Sequence, residues 1–194
     1  MNKVLTFILC MGFVAAQAQR FGQHERDMIE SGKSSDRMRI TQITDKSDSL
    51  LLRSKARKVR KIKDPIISKL SERMLQTVLD PANKGVGIAA PQVGIGYQVI
   101  LVQRFDKEGE PFETVIYPEI RSSSDSLWRR IEGCLSIPVI RDTVERPWSI
   151  EVRYRDIHGK KRKETVNGFT ARIFQHEIDH LNGVLFIDYI YERK

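Results

Sequence analysis

The sequence predicts an α+β fold in which antiparallel sheets pack around a central helix. Three observations support this fold class. A helical pattern begins near residue 65, several strand-like segments occupy the middle of the chain, and a second helical pattern lies near the C-terminus. Because the strand-like segments follow one another instead of alternating with helices, antiparallel pairing is favoured over a parallel sheet. With 194 residues and 40% apolar content, the chain can bury one core.

Residues 1–18 have the pattern of a secretory signal peptide. A positive residue near the start precedes thirteen almost entirely apolar residues, from Val4 to Ala16. This run is too short to cross a bilayer, so no transmembrane segment is expected. The small residues of Ala16-Gln17-Ala18 match a cleavage site. We therefore predict export to the periplasm; synthesis from an internal methionine, Met28 or Met38, would instead give a cytoplasmic protein.

Residues 19–45 are polar and charged without a clear period, and they predict a flexible lead-in to a folded domain spanning 46–194. The chain is basic, with a formal charge of +8 and a pI near 9.6. The run at 53–63 has no interleaved aromatic residues for base stacking, so a solvated extended segment is favoured over a specific nucleic-acid or anionic-lipid site. Its seven basic residues are Arg53, Lys55, Arg57, Lys58, Arg60, Lys61 and Lys63.

The first helix is predicted to begin at Asp64-Pro65, an N-cap residue followed by a first-turn proline, and to end at Asp80-Pro81. Its apolar stripe consists of Ile66, Leu70, Met74 and Val78. The glycine-rich stretch 85–94 follows. It does not fit a dinucleotide fingerprint, since no strand precedes it, and it lacks the Gly-Lys-Ser/Thr ending of a phosphate loop.

The predicted strands come next. Tyr97 to Phe105 is rich in branched apolar residues, and Phe112 to Tyr117 follows a polar turn. Apolar residues at 150, 152 and 154 alternate with charged ones, which indicates a strand with one buried face. A turn at Asp156–Gly159 then leads into a further strand over 160–166.

The second helix carries the pattern His-Glu-x-x-His, with His176 and His180 four residues apart and therefore on one face. Two imidazoles so placed can hold one transition-metal ion, and Glu177 beside them can accept a proton from a water at the site. The predicted helix runs from Asn167-Gly168 to Asn182-Gly183 and is apolar on two faces, as a buried helix is. The alternative is a core helix with two hydrogen-bonded histidines.

A metal site needs a third ligand, and downstream positions do not supply one. In one common protease layout a histidine would stand at 186, where this chain has Phe186, and the residues after His180 are too few for a further ligand helix. Cys134 lies upstream and becomes the only cysteine once residues 1–18 are removed. A buried small hydrophobe is the usual role of such a residue. As a ligand, it would complete a Cys-His-His set with a fourth position left for water.

Three stretches together, Gly85–Gln92, Glu132–Ser136 and Gln175–Gly183, closely resemble the signature motifs of peptide deformylases. The resemblance extends from about residue 49 to 191. It implies an α+β fold with the metal helix against antiparallel sheets, and hydrolysis of the N-formyl group of formyl-methionyl peptides to give formate. It also implies ferrous iron at the site, with zinc or nickel as possible substitutes, and we expect a monomer.

The resemblance also implies a role for each matching residue. Cys134, His176 and His180 would bind the metal, and Glu177 would transfer the proton. Gln92, through its side-chain amide, and Leu135, through its backbone N–H, would stabilise the oxyanion. The remaining substrate-binding candidates are Gly87 and Ile88 for the peptide backbone, Phe169 and Ile173 for the methionine side chain, and Glu132 and Arg141, which would shape or brace the site. Alternatives are an exported metallopeptidase or other amide hydrolase, and a non-enzymatic binding protein on the same fold.

Overall fold

The computed structural model describes residues 21–191. In chain order, its strands are β1 (Gly87–Ala89), β2 (Val99–Gln103), β3 (Phe112–Ser123), β4 (Leu127–Cys134), β5 (Ile137–Pro147), β6 (Ser149–Arg155) and β7 (Lys161–Asn167). Five of them form an antiparallel sheet in the order β1-β2-β3-β6-β7, and β4 with β5 forms a separate hairpin. The predicted α+β class with antiparallel sheets is confirmed.

The helices are α1 (Gln23–Glu30), α2 (Lys46–Leu52), α3 (Pro65–Val78), α4 (Gly168–Leu181) and α5 (Asp188–Tyr191). The predicted start of α3 is confirmed, because the Asp64 side chain accepts a hydrogen bond from the Ile66 N–H and Pro65 occupies the first turn. Within residues 21–191, no helix has the length and apolar character that crossing a membrane requires.

Helix α4 lies in the core, as its two apolar faces predict. Ile173, Phe174 and Ile178 belong to a buried cluster with side chains of β2, β3 and β6. The helix ends as expected, because Gly183 follows it with a φ of +75°, a conformation that glycine adopts without steric cost. The large sheet and the hairpin therefore hold α4 between them, with its histidines inside the protein.

The prediction of a flexible lead-in over 19–45 is wrong for its described part. Phe21 and Ile29 are buried in the main core, and the ring of Phe21 contacts that of Tyr97 at a centroid distance of 4.4 Å. Met38 is also buried, and α1 packs against α3. Isolated apolar residues in a polar stretch give no period, yet each one fills a place in the core. The predicted signal peptide, residues 1–18, lies outside the described residues.

The basic run 53–63 forms irregular chain whose seven cationic side chains are all exposed, as predicted for a solvated segment. Two of them pair with acidic groups, Arg53 with Asp188 at 2.5 Å and Arg57 with Glu25. Ala56 and Val59 are buried and anchor the segment. The hairpin of β4 and β5 was not predicted, because most of its side chains are charged or exposed and its apolar alternation is weak.

Candidate metal centre

Two elements meet to form a partly buried cluster of side chains that can bind a metal. Cys134 ends β4, while His176 and His180 lie one turn apart on α4. One ligand atom from each of the three lies within 4.8 Å of the others, and Cys134 Sγ is 3.2 Å from His180 Nε2. The structure therefore brings together the three residues that the sequence singled out, although the cysteine and the first histidine are 42 positions apart in the chain.

Glu132 orients the first histidine. Its Oε2 lies 3.0 Å from His176 Nδ1, which leaves the other ring nitrogen, Nε2, for a metal. Burial by itself would raise the pKa of Glu132, but hydrogen bonds from His176 and Arg146 outweigh it and hold that pKa well below its usual range. The carboxylate is therefore charged, and it accepts the histidine proton that fixes the tautomer.

Two arginines hold Glu132 in place. Arg146 makes a bidentate pair with its carboxylate, at 2.6 Å and 3.0 Å, and Arg172 pairs with it through Nη1. All three side chains are buried. Arg141, which was predicted to shape or brace the site together with Glu132, is exposed on β5, and its side chain packs over Gly133. The bracing of Glu132 comes from Arg146 and Arg172, and a role for Arg141 in shaping the site stays a prediction. Because side chains alternate along β5, Arg146 lies on the face that carries Glu132, and Arg141 lies on the opposite face.

Arg146 also connects the hairpin to α4 and α5 through Asp179. Its Nη1 donates to Asp179 Oδ2 at 2.8 Å, and the Tyr189 hydroxyl donates to the same oxygen at 3.0 Å. Phe186, at the position where some proteases have a ligand, is buried and stacks with the His176 ring at a centroid distance of 6.1 Å. The sequence alone did not identify these contacts, since each joins residues from different elements.

Glu177 is buried beside β1. A Cβ added to Gly87 would lie 2.6 Å from Glu177 Oε1 and 2.7 Å from Ile173 Cγ2, so a larger residue cannot replace this glycine without displacing them. Burial raises the pKa of Glu177 to about 7. Its Oε2 is buried and has no hydrogen-bond partner among residues 21–191. Such an atom is costly unless it exchanges a proton or binds a ligand.

Gln92 directs its amide at the cysteine. Its Oε1 accepts the Ala89 N–H at 2.8 Å, which fixes the amide so that Nε2 lies 3.3 Å from Cys134 Sγ and 3.4 Å from Ser136 Oγ. Leu135 lies in the turn directly after the cysteine. A buried donor that is already oriented is suited to stabilising negative charge that develops beside it.

Residues 41–43, in the part of the chain predicted to be a lead-in, make hydrogen bonds to the segment that carries Gln92 and to the turn after Cys134. The Thr41 N–H donates to the Gln92 carbonyl at 2.8 Å, the Gln42 side chain donates to the Leu135 carbonyl at 3.1 Å, and the Ile43 N–H donates to the Ser136 carbonyl at 2.9 Å. Residues 41–43 thus join the glycine-rich segment to the cysteine turn. The geometry of the centre depends on them.

Of the residues predicted to bind substrate, Gly87 and Ile173 lie beside Glu177, whereas Ile88 and Phe169 make their contacts elsewhere. Gly87 and Ile88 are in β1, which pairs with β2 and no other described strand, so the edge beside Glu177 has no strand partner. Ile88 is fully buried in the main core, whereas Gly87 is partly exposed, so Gly87 is the residue of β1 whose backbone a peptide can reach. Ile173 lies close to Gly87. Phe169 is nearer the start of α4, and its ring centroid is 5.1 Å from that of Phe105.

The donor set fits a transition metal. One thiol and two imidazoles, close together and partly buried, suit iron, zinc or nickel rather than magnesium or calcium, which prefer oxygen ligands. Cys134 and the two histidines would hold one ion in the space that Glu177 and Gln92 also face. The site can therefore combine a metal, a buried base and an oriented donor.

The family model for polypeptide deformylase matches residues 37–194. The chain belongs to the polypeptide deformylase family. A peptide deformylase from Synechocystis is 47% identical over 139 residues, which cover 71% of this chain and 73% of that protein. Among solved structures, a Synechococcus elongatus peptide deformylase in complex with actinonin has a TM-score of 0.69 at 38% identity, covering 78% of each chain. A Met-Ala-Ser-bound peptide deformylase from Acinetobacter baumannii has a TM-score of 0.70 at 34% identity, covering 80% of this chain and 99% of that one.

Proposed function

We propose that this member of the polypeptide deformylase family is a metal-dependent hydrolase that removes the N-formyl group from formyl-methionyl peptides and releases formate. The observation that carries the proposal is the convergence of Cys134, His176 and His180, with the buried carboxylate of Glu177 beside them. A deformylase relative with a similar fold binds Met-Ala-Ser, a peptide that begins with methionine, and this supports a peptide substrate.

The bound metal would lower the pKa of a water molecule and polarise the formyl carbonyl. Glu177 then accepts the proton of the attacking water and passes it to the leaving nitrogen, a role that suits a buried carboxyl with a pKa near neutrality. The Gln92 amide and the Leu135 backbone N–H donate to the oxyanion that develops on the formyl oxygen. The peptide lies along the open edge of β1 as an added strand.

The methionine side chain is placed by its surroundings. Ile173 and Phe169 lie one and two turns before His176 along α4, and they provide the apolar wall of its pocket. Glu132 is a positioning residue in this proposal: it orients His176 by a hydrogen bond and does not contact the substrate. Ferrous iron is our proposal for the metal, with zinc or nickel able to bind the same ligands. We also propose that the enzyme is a monomer.

Export to the periplasm is a further part of the proposal, and it rests on the sequence of residues 1–18. Synthesis from Met28 or Met38 is the alternative that places the enzyme in the cytoplasm. Phe21 is buried in the main core and α1 packs against α3, so both shorter chains would lose a part of the core. This favours translation from upstream, with residues 21–37 kept in the mature enzyme.

The test is formate release from a formyl-Met peptide by residues 19–194, purified without oxygen and loaded with ferrous iron or nickel. Glu177→Gln is expected to keep its metal and lose turnover, because only proton transfer is removed. Cys134→Ala is expected to lose metal affinity, with His158→Ala, an exposed turn histidine, as the matched control. A Glu177→Gln variant that still releases formate, or a Cys134→Ala variant with full metal content, would contradict the assigned roles.

The products of the same reaction distinguish a deformylase from a metallopeptidase. Mass spectrometry of the product should show loss of the formyl group with the peptide backbone intact. Cleavage between amino acids, without formate, would mean that the site has been redirected to backbone amides.

A further inference from the structure

The outer half of β4 carries a cation–aromatic cluster that the proposed chemistry leaves unused. The guanidinium carbon of Arg130 lies 5.1 Å from the centre of the Trp128 ring and 4.9 Å from that of Phe169. Trp128 in turn makes an edge contact with Trp148 at a centroid distance of 5.2 Å. The two tryptophans of the chain therefore meet beside Arg130, next to the predicted methionine pocket, and the buried Arg172 lies over the same Trp128 ring at 5.1 Å.

Arg130 lies on the same face of β4 as the metal ligand. Side chains two residues apart on a strand point to one side, so Arg130, Glu132 and Cys134 share a face. Their contacts agree, because Glu132 reaches His176 and Arg130 reaches Phe169, both on α4. At roughly 3.3 Å per residue, Arg130 is about 13 Å along the strand from Cys134.

The charge of Arg130 is not neutralised by a neighbouring acid. Its side chain is exposed, and no carboxylate lies within ion-pair distance of it in residues 21–191. The acid on its own face, Glu132, is already taken by Arg146, Arg172 and His176. A guanidinium that lies over two rings is partly fixed in position, so less side-chain entropy is lost when an anion binds it.

A bound peptide would pass this cation. Among the described strands, β1 and β4 each pair with a single neighbour, so each has an open edge. Strand β1 begins beside Glu177, at Gly87, and β4 ends at the metal centre, at Cys134. An extended peptide advances about 3.3 Å per residue, so a side chain on the second or third residue comes within reach of Arg130.

We propose that Arg130 is a specificity-determining residue that binds a carboxylate on the second or third residue of the peptide, so that the enzyme favours formyl-methionyl peptides with an acidic residue there. This inference rests on the proposed deformylase function. It names a class of substrate, peptides that are acidic directly after the formyl-methionine. Pairing occurs at a partly exposed position, so the preference is moderate and decreases with salt.

The experiment compares kcat/KM for matched formylated tripeptides that differ only in charge. Formyl-Met-Glu-Ala is paired with formyl-Met-Gln-Ala, and formyl-Met-Ala-Glu with formyl-Met-Ala-Gln, all with amidated C-termini. The glutamate peptide of at least one pair should be favoured about two- to fivefold, as expected for one exposed ion pair. The effect should reside in KM and shrink at high salt.

Arg130→Gln should bring that ratio to one, and Arg130→Lys should keep part of it. The matched control is Arg129→Gln, the exposed neighbour whose side chain lies on the opposite face of β4, and it should keep the full ratio. Equal rates for both pairs in the unmodified enzyme, or a ratio that survives Arg130→Gln, would overturn the proposal. Absence of formate from every peptide would instead refute the deformylase function, so the two failures are distinct.

Discussion

Replacing Glu132 by glutamine tests whether the buried carboxylate holds the metal centre together. The change keeps the size of the side chain and removes its charge. Arg172 loses its only carboxylate partner among the described ion pairs, while Arg146 keeps Asp179. Removing one partner of a buried ion pair costs about 3–5 kcal/mol. Because one arginine keeps an acid, we expect the lower end, about 3 kcal/mol of unfolding free energy.

For a chain of this size, 1 kcal/mol corresponds to a shift in Tm of about 2–4 °C, so the expected loss is about 6–12 °C. Thermal unfolding followed by circular dichroism measures it, on metal-free and metal-loaded protein separately, since a bound metal adds its own stabilisation. Metal affinity should also fall by about 10- to 100-fold, because Glu132 orients His176.

The control is Glu119→Gln, which removes an acid whose side chain is 62% exposed and paired with Arg121 at the surface. Such pairs contribute about 0–1 kcal/mol, so its Tm should change by no more than about 4 °C. In the double variant Glu132→Gln with Arg172→Met, part of the lost stability should return, because the unpaired guanidinium is gone. If Glu132→Gln unfolds at the same temperature as Glu119→Gln, the buried network does not stabilise the fold as argued.

Three further changes test the surroundings of the centre. Gly87→Ala should reduce kcat at least tenfold with metal content unchanged, because the added Cβ would displace the Glu177 carboxylate, whereas Gly96→Ala, which meets a side chain only at 3.3 Å, should retain most activity. The pKa of Asp48 is lowered chiefly by its hydrogen bond from Arg39, so its contribution to stability is complete above a pH of about 4 and is lost as the pH falls below that value. Asp48→Asn should therefore make the free energy of unfolding depend less on pH in this acid range. An unchanged pH dependence would contradict this role of Asp48. Gln42→Ala removes the bond to the cysteine turn and should weaken metal binding, measured by competition with a chelator, with little change in helix content; unaltered affinity would show that the turn holds its shape unaided.

Local features were predictable wherever a few neighbouring residues determine the outcome. Asp64 and Pro65 define the start of α3, and Gly183 ends α4, through backbone preferences that operate within one turn. The spacing of His176 and His180 places both on one face of any helix they occupy. The absence of a downstream ligand and the single cysteine left after residue 18 pointed to Cys134 as the third ligand, and the resemblance implied the same residue.

The sequence could not assign the brace of the centre. Arg141 and Arg146 are both on β5, and nothing in their local sequence says which one meets Glu132. The register of the hairpin decides, since Glu132 lies opposite Asp142 and the inward-facing arginine is the one further along the strand. Long-range pairs of this kind depend on how two strands align, which their composition does not specify.

By itself, the sequence determined the helices that have clear caps, the strand-rich middle of the chain and the ligand pair of α4, because those depend on contacts within a few residues. Only the tertiary structure decided that residues 21–45 pack into the core and support the cysteine turn, that Arg146 and Arg172 hold Glu132, and that Arg130 lies over two aromatic rings. The physical reason is that these contacts join residues far apart in the chain, and their stability comes from burial and charge pairing that exist only after the elements have packed.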